Sequence, residues 1–179
     1  IKKKAIVRKL QAVETLGCAS VICSDKTGTM TENKMTVTNI WSGGSSYEVS
    51  GNGYAIDGEF TNKERTINPT LNKQLFQTLV FGSICSDAQL IQKKKEIVLD
   101  GDPTEGAIVV AGYKAGIDRE YVNSNFTRIH ELPFDSTRKM MSVVVKNRSG
   151  EQFVITKGAP DVLLSKCNTI LGHERQEQL

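Results

Sequence analysis

Short apolar runs alternate with polar, glycine-rich stretches along the chain, and each run has the length of one strand or one helix face. Residues 19–23 are apolar, partly β-branched and followed by a polar loop, which predicts a buried strand. Residues 35–41 alternate in polarity and predict a second strand. The glycine and serine clusters that follow predict short hairpins over residues 40–61.

Three segments carry the signals of helices. Asn68-Pro69 predicts the start of a helix that reaches about Cys85, because asparagine is a good N-cap, proline suits the first helical position, and leucines recur along one face at positions 71, 75 and 79. Asp102-Pro103-Thr104-Glu105 predicts the start of a second helix, which Gly116 ends. Ala159-Pro160 opens a third helix that runs to about residue 166.

Strands are predicted between the second and third helices, over residues 126–132, 139–146 and 151–156, with a hairpin turn at residues 147–150. Helices mixed with adjacent antiparallel strands indicate an α+β domain from residue 40 onward. The first 35 residues differ, since a buried strand that ends in polar residues is the usual opening of a parallel α/β sheet. One strand cannot form a sheet, so we expect its neighbours to lie outside this chain.

Composition excludes several classes of protein. The 179 residues are 39% hydrophobic and 24% charged, which is ordinary for a globular protein and excludes a disordered chain. A net charge of +3 and 6% aromatic residues argue against nucleic-acid binding, and without a long apolar run we expect a soluble chain. The cysteines form no C-x-x-C pair, so we expect no zinc site and reduced thiols that lie mostly in the core: Cys18, Cys23, Cys85 and Cys167.

The strongest chemical candidate is Asp25, at the end of the first predicted strand. A carboxylate there lies where open α/β sheets bind ligands, and the Lys26-Thr27-Gly28-Thr29 segment that follows lets backbone amides and a cation approach an anion. Asp25 could therefore attack a phosphoryl group, with charge neutralisation by Lys26, Thr27 and Mg²⁺. The alternative is a capped turn in which Asp25 only bonds nearby amides.

Four motifs of the chain carry a resemblance to a known family. Residues 23–31 (CSDKTGTMT) resemble the phosphorylation signature of P-type ATPases, with Met30 where leucine is commoner. DPTE at 102–105, FDSTRK at 134–139 and KGAP at 157–160 resemble nucleotide-domain motifs of its type II subgroup, in matching order. Phosphatases of the haloacid dehalogenase type carry a second Asp where Thr27 stands here, and its absence predicts a phosphoenzyme that hydrolyses slowly.

The resemblance implies two domains: residues 1–36 as the first part of a haloacid-dehalogenase-like α/β phosphorylation domain, and residues 37–179 as an inserted nucleotide-binding domain of twisted antiparallel sheet with flanking helices. It also implies that Asp25 is phosphorylated with help from Lys26, and that Asp25 and Thr27 hold Mg²⁺. The chain stops soon after Lys157, so we expect the nucleotide-binding domain to be incomplete and the chain alone to be inactive.

The resemblance further implies an ATP pocket. Phe134 would stack on the adenine, Lys157 and Gly158 would line the deep end, and Lys139 would lie near the phosphates. Glu105 would bond the base or a polar neighbour, and either Ser136 or Arg138 would meet the phosphates. Structural alternatives exist for each residue: Phe134 could be core, Glu105 a capping-box residue, Lys139 a solvated charge and Gly158 the end of a strand.

The function implied is that of an ATP-driven cation pump, with calcium favoured over sodium, potassium or another cation. The alternatives are a nucleotide-binding module without catalysis and a fragment of a haloacid-dehalogenase-like phosphotransferase. The implied partners are ATP and the remaining phosphorylation, actuator and transmembrane domains of the same pump. We expect a monomer that binds no nucleic acid and lies at the cytosolic face of a membrane, in the complete protein the plasma membrane of a bacterium.

Overall fold

A computed structural model describes residues 17–26, 28–93, 96–171 and 176–178. The chain divides into two units, residues 1–33 and residues 34–179. The assignment of residues 1–36 and 37–179 to a phosphorylation and a nucleotide-binding domain stays a prediction. Within the described ranges, every helix is too short or too polar to cross a bilayer.

The first unit lacks the strand that its sequence predicts. Residues 19–25 have no regular secondary structure, and the side chains of Val21 and Ile22 are 76% and 81% exposed. A strand requires a neighbour to take up its backbone hydrogen bonds, and no described segment of the chain pairs with residues 19–25. The expectation of a buried strand is therefore wrong for this chain.

The second unit opens with a four-stranded antiparallel meander in which each strand pairs with the next along the chain. The predicted hairpins over residues 40–61 are confirmed and continue to residue 67, whereas residues 35–38 lie outside the first strand. Tyr47, Val49 and Phe60 supply its buried apolar side chains. The strands are β1 (Asn39–Ser42), β2 (Ser45–Val49), β3 (Phe60–Asn62) and β4 (Arg65–Ile67).

The helix predicted from Asn68 is divided into a 3-10 helix, Pro69–Leu71, and helix α1, Lys73–Ile84. Asn68 caps the first piece and Asn72 caps the second, with Asn72 Oδ1 accepting the Leu75 amide at 3.0 Å. A second cap four residues after the first begins a separate helix. Leu71 is consequently exposed, although the leucine periodicity predicted it on the apolar face.

Helix α2 (Pro103–Lys114) forms as predicted, with Asp102 as its N-cap. Two neighbouring elements were not predicted from the sequence. One is a hairpin of β5 (Gln89–Lys93) and β6 (Glu96–Asp100), and the other is the short helix α3 (Arg119–Asn125). Asp118 caps α3 by accepting the Tyr121 amide.

The three predicted strands after α3 form an antiparallel sheet in the order β7-β8-β9. The hairpin turn at residues 147–150 is confirmed, with the Gly150 amide donating to the Asn147 carbonyl at 3.0 Å. The final helix begins as predicted and ends two residues earlier than expected. These elements are β7 (Phe126–Asp135), β8 (Met140–Asn147), β9 (Gln152–Gly158), α4 (Pro160–Leu164), β10 (Thr169–Leu171) and β11 (Gln176–Gln178).

The main core lies between α1 and the β7-β8-β9 sheet. Met141, Val143 and Val145 alternate along β8 and are fully buried, together with Leu75 and Ile84 of α1. Burying each such side chain stabilises the fold by about 1.5–3 kcal/mol. The predicted α+β class with antiparallel sheets and flanking helices is confirmed, and the packing brings the C-terminal end of α1 to the inner face of the sheet.

The cysteines do not lie mostly in the core. Of the four, all free, only Cys85 is buried, at the end of α1, where its thiol lies 3.8 Å from the Ile155 carbonyl oxygen. Burial raises the pKa of the Cys85 thiol, so it stays protonated. The expectation is wrong for the other three because residues 18 and 23 lie in the irregular first unit and residue 167 follows the short helix α4.

Candidate functional site

An ion pair between Lys157 and Glu105 stands at the centre of the candidate site. Lys157 is on β9 and Glu105 is in the first turn of α2, and Lys157 Nζ lies 2.5 Å from Glu105 Oε1 and 3.3 Å from the hydroxyl of the buried Ser86. The side chains of Lys157 and Glu105 are 22% and 16% exposed, respectively. The pair is thus largely withdrawn from water but open on one side, where a ligand could meet both charges.

The second oxygen of Glu105 fixes the backbone that follows α1. Glu105 Oε2 accepts the amides of Asp87 at 2.7 Å and Ala88 at 3.0 Å. The capping-box interpretation of Glu105 is therefore wrong, because its carboxylate faces residues 87–88 instead of the start of its own helix.

Asp102 caps that helix. Burial favours a higher pKa for the Asp102 carboxyl group, but hydrogen bonds from the Thr104 and Glu105 amides outweigh burial and lower the pKa.

Phe134 lies at a β-bulge of β7, in the same sheet as Lys157. Leu132 pairs with Ser142 and Asp135 with Met140, so Pro133 and Phe134 together fall opposite Met141 of β8. On its other side Met141 pairs with Lys157. Phe134 and Lys157 thus occupy the two strands that flank the same β8 position. The Phe134 ring is 62% exposed, which excludes a core role and leaves its face available.

Arg138 folds back onto the bulge that carries Phe134. Its Nη2 donates to the carbonyl oxygens of Leu132 and Pro133, both at 3.2 Å, and of Met140 at 3.0 Å. Its backbone amide donates to Asp135 Oδ1 at 2.7 Å. Carbonyls at a bulge lack ladder partners, and a guanidinium can satisfy several at once. Arg138 therefore holds the local backbone, while Ser136 is exposed.

Gly158 and Lys139 meet where the sheet ends. A Cβ atom on Gly158 would lie 2.4 Å from the Lys139 carbonyl oxygen, and that oxygen accepts the Ala159 amide at 3.1 Å. Lys139 itself has a φ of 54° and its amide donates to the Asp135 carbonyl at 2.6 Å. The backbone is thus closely fixed here, with the Lys139 side chain on the surface.

The residues around Asp25 form an exposed turn. The Met30 amide donates to the Lys26 carbonyl at 2.9 Å, and the Gly28 amide to the Thr31 hydroxyl at 3.3 Å. The φ of Gly28 is +75°, a conformation that glycine adopts without steric cost. Asp25 and Lys26 are both exposed. Thr27 lies outside the described residues.

Sequence reasoning missed three residues around the ion pair: Ser86, Asp87 and Arg128. Arg128 Nη1 lies 2.6 Å from Asp87 Oδ1, and Ser86 accepts the hydrogen bond from Lys157. One signal was present in the sequence, since Arg128 stands two residues after Phe126 in a predicted strand and so shares its apolar face. A charged residue on an apolar face requires local partners.

A cavity of about 370 Å³ lies between α2, α3 and β7 and includes none of the sequence-predicted site residues. It shares Ser86 and Arg128 with the surroundings of the ion pair. We place the candidate site at the ion pair, because charged groups converge there and an exposed aromatic residue, Phe134, stands opposite the same β8 residue as Lys157. The cavity is lined by Ser83, Ile84, Ser86, Ala88, Gln89, Leu90, Val109, Tyr113, Asp118, Arg119, Val122, Asn123, Phe126, Thr127 and Arg128.

The described residues offer little for a metal ion by themselves. No three of their His, Cys, Asp or Glu side chains form a group that could hold one. Mg²⁺ commonly takes one or two carboxylates together with phosphate oxygens and water. The exposed carboxylate of Asp25 fits that mode, in which a phosphate group and water would supply the other oxygens.

Comparisons with known proteins agree with these motifs. A family model described as the cytoplasmic domain N of P-type ATPases matches residues 74–179. A calcium-transporting ATPase of Bacillus subtilis is 55% identical over 95% of this chain and 19% of its own length. A cation-transporting ATPase of Synechocystis is 39% identical over 98% of this chain and 20% of its own length. A calcium-transporting ATPase of Bos taurus is 39% identical over 94% of this chain and 18% of its own length. The chain thus spans about a fifth of the length of these relatives.

Proposed function

The chain belongs to the P-type ATPases, and from this premise we propose that it carries the ATP-binding site and the phosphorylation motif of an ATP-driven cation pump. The observation that carries the proposal is the half-shielded Lys157–Glu105 ion pair on a sheet in which the exposed Phe134 flanks the same β8 residue as Lys157. A flat aromatic face and a nearby donor–acceptor pair are what recognition of a purine base requires.

The charge balance of the pair indicates which end of ATP it meets. Lys157 is largely neutralised by Glu105 at 2.5 Å, so the two together suit a neutral base better than a chain of phosphates. The base would stack on Phe134, with Gly158 leaving room at the deep end. Lys139, exposed at the end of the sheet, would face the phosphates, and Arg138 would contribute mainly by holding the bulge.

Asp25 would then accept the γ-phosphoryl group. One of its carboxylate oxygens forms the bond to the γ-phosphorus as the bond to the β–γ bridging oxygen breaks, which leaves an aspartyl phosphate and ADP. Lys26, Thr27 and the amides near Gly28 would offset negative charge on the phosphoryl oxygens. Mg²⁺, held by Asp25, Thr27 and phosphate oxygens, would neutralise charge on the transferring group. Domain closure would bring nucleotide and Asp25 together.

Calcium is the proposed cargo, because relatives of this chain in a bacterium and in a mammal are both named calcium-transporting ATPases. Sodium, potassium or another cation is the alternative, since the relative from Synechocystis is named only for cations. We place the chain at the cytosolic face of a membrane, as a monomer that works with the remaining phosphorylation, actuator and transmembrane domains of the same pump.

The proposal is tested by calorimetric titration of the 179-residue chain with ATP and with adenosine. We expect Phe134→Ala to weaken the binding of both ligands by roughly 5- to 150-fold, because it removes one stacking contact worth about 1–3 kcal/mol. Lys157→Ala should also weaken both, whereas Lys139→Ala should weaken ATP and spare adenosine. Trp41→Ala and Lys146→Ala serve as matched controls, because Trp41 is 64% exposed on another sheet and Lys146 is an exposed residue of β8.

The outcomes separate the two candidate functions. Binding that depends on Phe134 and Lys157, together with acid-stable labelling of Asp25 by γ-labelled ATP in the complete protein, supports the pump. Binding without labelling of Asp25 in the complete protein favours a module without catalysis. Equal binding by the parent, Phe134→Ala and Lys157→Ala refutes the proposed pocket.

A further inference from the structure

Arg128 of β7 lies against the C-terminal end of α1. Its Nε donates to the Ile84 carbonyl oxygen at 2.9 Å, and its Nη2 donates to the same oxygen and to the Ser86 carbonyl oxygen at 2.8 Å. Arg128 pairs with Val145 of β8, a buried residue of the inner face, and therefore points toward α1.

The remaining side of the guanidinium is matched by carboxylates. Nη1 lies 2.6 Å from Asp87 Oδ1 and 3.1 Å from Glu131 Oε2. Arg128 is 32% exposed, so much of this charge is withdrawn from water. The planar fork of arginine can serve two carbonyl oxygens and two carboxylates together, and the single ammonium of lysine cannot.

The position of Arg128 supplies what α1 lacks. The last turn of α1 contains no basic residue, although the final carbonyl groups of a helix have no partners within it and carry partial negative charge. Arg128 provides the cation from a strand that lies 44 residues further along the chain. The end of α1 is thus fixed by tertiary structure.

The segment after α1 is held from two sides. Arg128 binds the carbonyl oxygens of Ile84 and Ser86, and Glu105 Oε2 binds the amides of Asp87 and Ala88. Only the other carboxylate oxygen of Glu105 remains for Lys157 Nζ, which also donates to Ser86 Oγ. Arg128 is therefore connected to Lys157 through one short backbone segment.

We propose that Arg128 is a positioning residue for the Lys157–Glu105 pair, which it acts on through residues 84–88. Its consequence for ATP rests on the proposed function, whereas its effect on Lys157 does not. Without Arg128, residues 86–88 lose their fixed place, Glu105 loses the orientation that its two amide bonds impose, and Lys157 loses its defined contacts with Glu105 and Ser86.

The first test measures Lys157 directly. The chain is treated with a trace of acetic anhydride, and acetylation of Lys157 is measured by mass spectrometry relative to Lys146. We expect Arg128→Gln to raise the acetylation rate of Lys157, relative to that of Lys146, about threefold or more. Energetic coupling between residues of one hydrogen-bond network is large enough to produce such a change. Arg148→Gln is the matched control, since Arg148 also binds a carbonyl, that of Ser124 at 2.6 Å, and should leave the rate unchanged.

The second test is a double-mutant cycle on ATP binding. Arg128→Gln should weaken ATP binding about fivefold in the parent chain. The same substitution should have little further effect on binding in the Lys157→Gln background and its full effect in the Phe134→Ala background. A general loss of stability would act equally in both backgrounds. If Arg128→Gln does not fold by circular dichroism, Arg128→Lys replaces it, with a change in the same direction expected.

The outcomes distinguish this inference from the proposed function. An unchanged acetylation rate of Lys157, or equal effects in the Lys157→Gln and Phe134→Ala backgrounds, overturns the positioning role. A parent chain that binds no ATP refutes the proposed function in this chain, and the acetylation rate then decides the positioning role alone.

Discussion

Replacing Glu105 with alanine removes three hydrogen bonds from one side chain. The amides of Asp87 and Ala88 lose the acceptor that lies at 2.7 and 3.0 Å, and Lys157 loses the carboxylate at 2.5 Å. A buried donor left without an acceptor costs about 1–3 kcal/mol, and breaking a fully buried ion pair costs about 3–5 kcal/mol.

Partial exposure to water reduces these free-energy costs at Glu105. The Lys157 side chain is 22% exposed, and Asp87 lies at the surface, so water replaces part of what is lost. We therefore expect Glu105→Ala to lower the free energy of unfolding by about 2–4 kcal/mol, which is less than the sum of the fully buried values. Glu105→Gln keeps an oxygen for the two amides and loses only the charge, so an intermediate loss of about 1–2 kcal/mol is expected.

Urea unfolding followed by circular dichroism measures both values. Glu120→Ala is the matched control, because Glu120 also stands in the first turn of a helix, α3, and is exposed; its change should stay within about 0.5 kcal/mol. A loss for Glu105→Ala no larger than that of the control refutes the reasoning. Equal losses for the alanine and glutamine variants would assign the effect to the charge and not to the 87–88 amides.

Three further outcomes follow from the geometry. Gly158→Ala should lower the melting temperature by several degrees, as its Cβ would lie 2.4 Å from the Lys139 carbonyl oxygen; Gly17→Ala, which meets no atom within 4 Å, is the control. Cys85 should react with Ellman's reagent only on unfolding, because burial raises the pKa of its thiol, whereas the exposed cysteines react at once. Asp102→Ala should cost about 1 kcal/mol at neutral pH. Since the folded-state pKa of the Asp102 carboxyl is lowered, that stabilisation is present above its unfolded pKa and is lost as pH falls through the folded value, so acid titrations of parent and variant should converge.

Local signals predicted the elements whose stability is local. The cap and proline at Asp102-Pro103 fixed the start of α2, and the hairpin turn at residues 147–150 joined β8 to β9 as expected. The helix at residues 69–84 was predicted as one element, because the leucine periodicity masks the second cap at Asn72. The β5-β6 hairpin was missed because β5 is mostly exposed and β6 is a run of only three apolar residues without alternation.

The sequence by itself determined three residues of the candidate site, since DPTE, FDSTRK and KGAP contain Glu105, Phe134 and Lys157. Only the tertiary structure decided what each one does. Glu105 binds residues 87–88 and Lys157 instead of its own helix, Arg138 turns back onto the bulge, and Arg128 reaches the end of α1. A side chain's partners are set by which strands and helix ends pack together, and residues 17 to 71 positions apart in sequence meet here only through that packing.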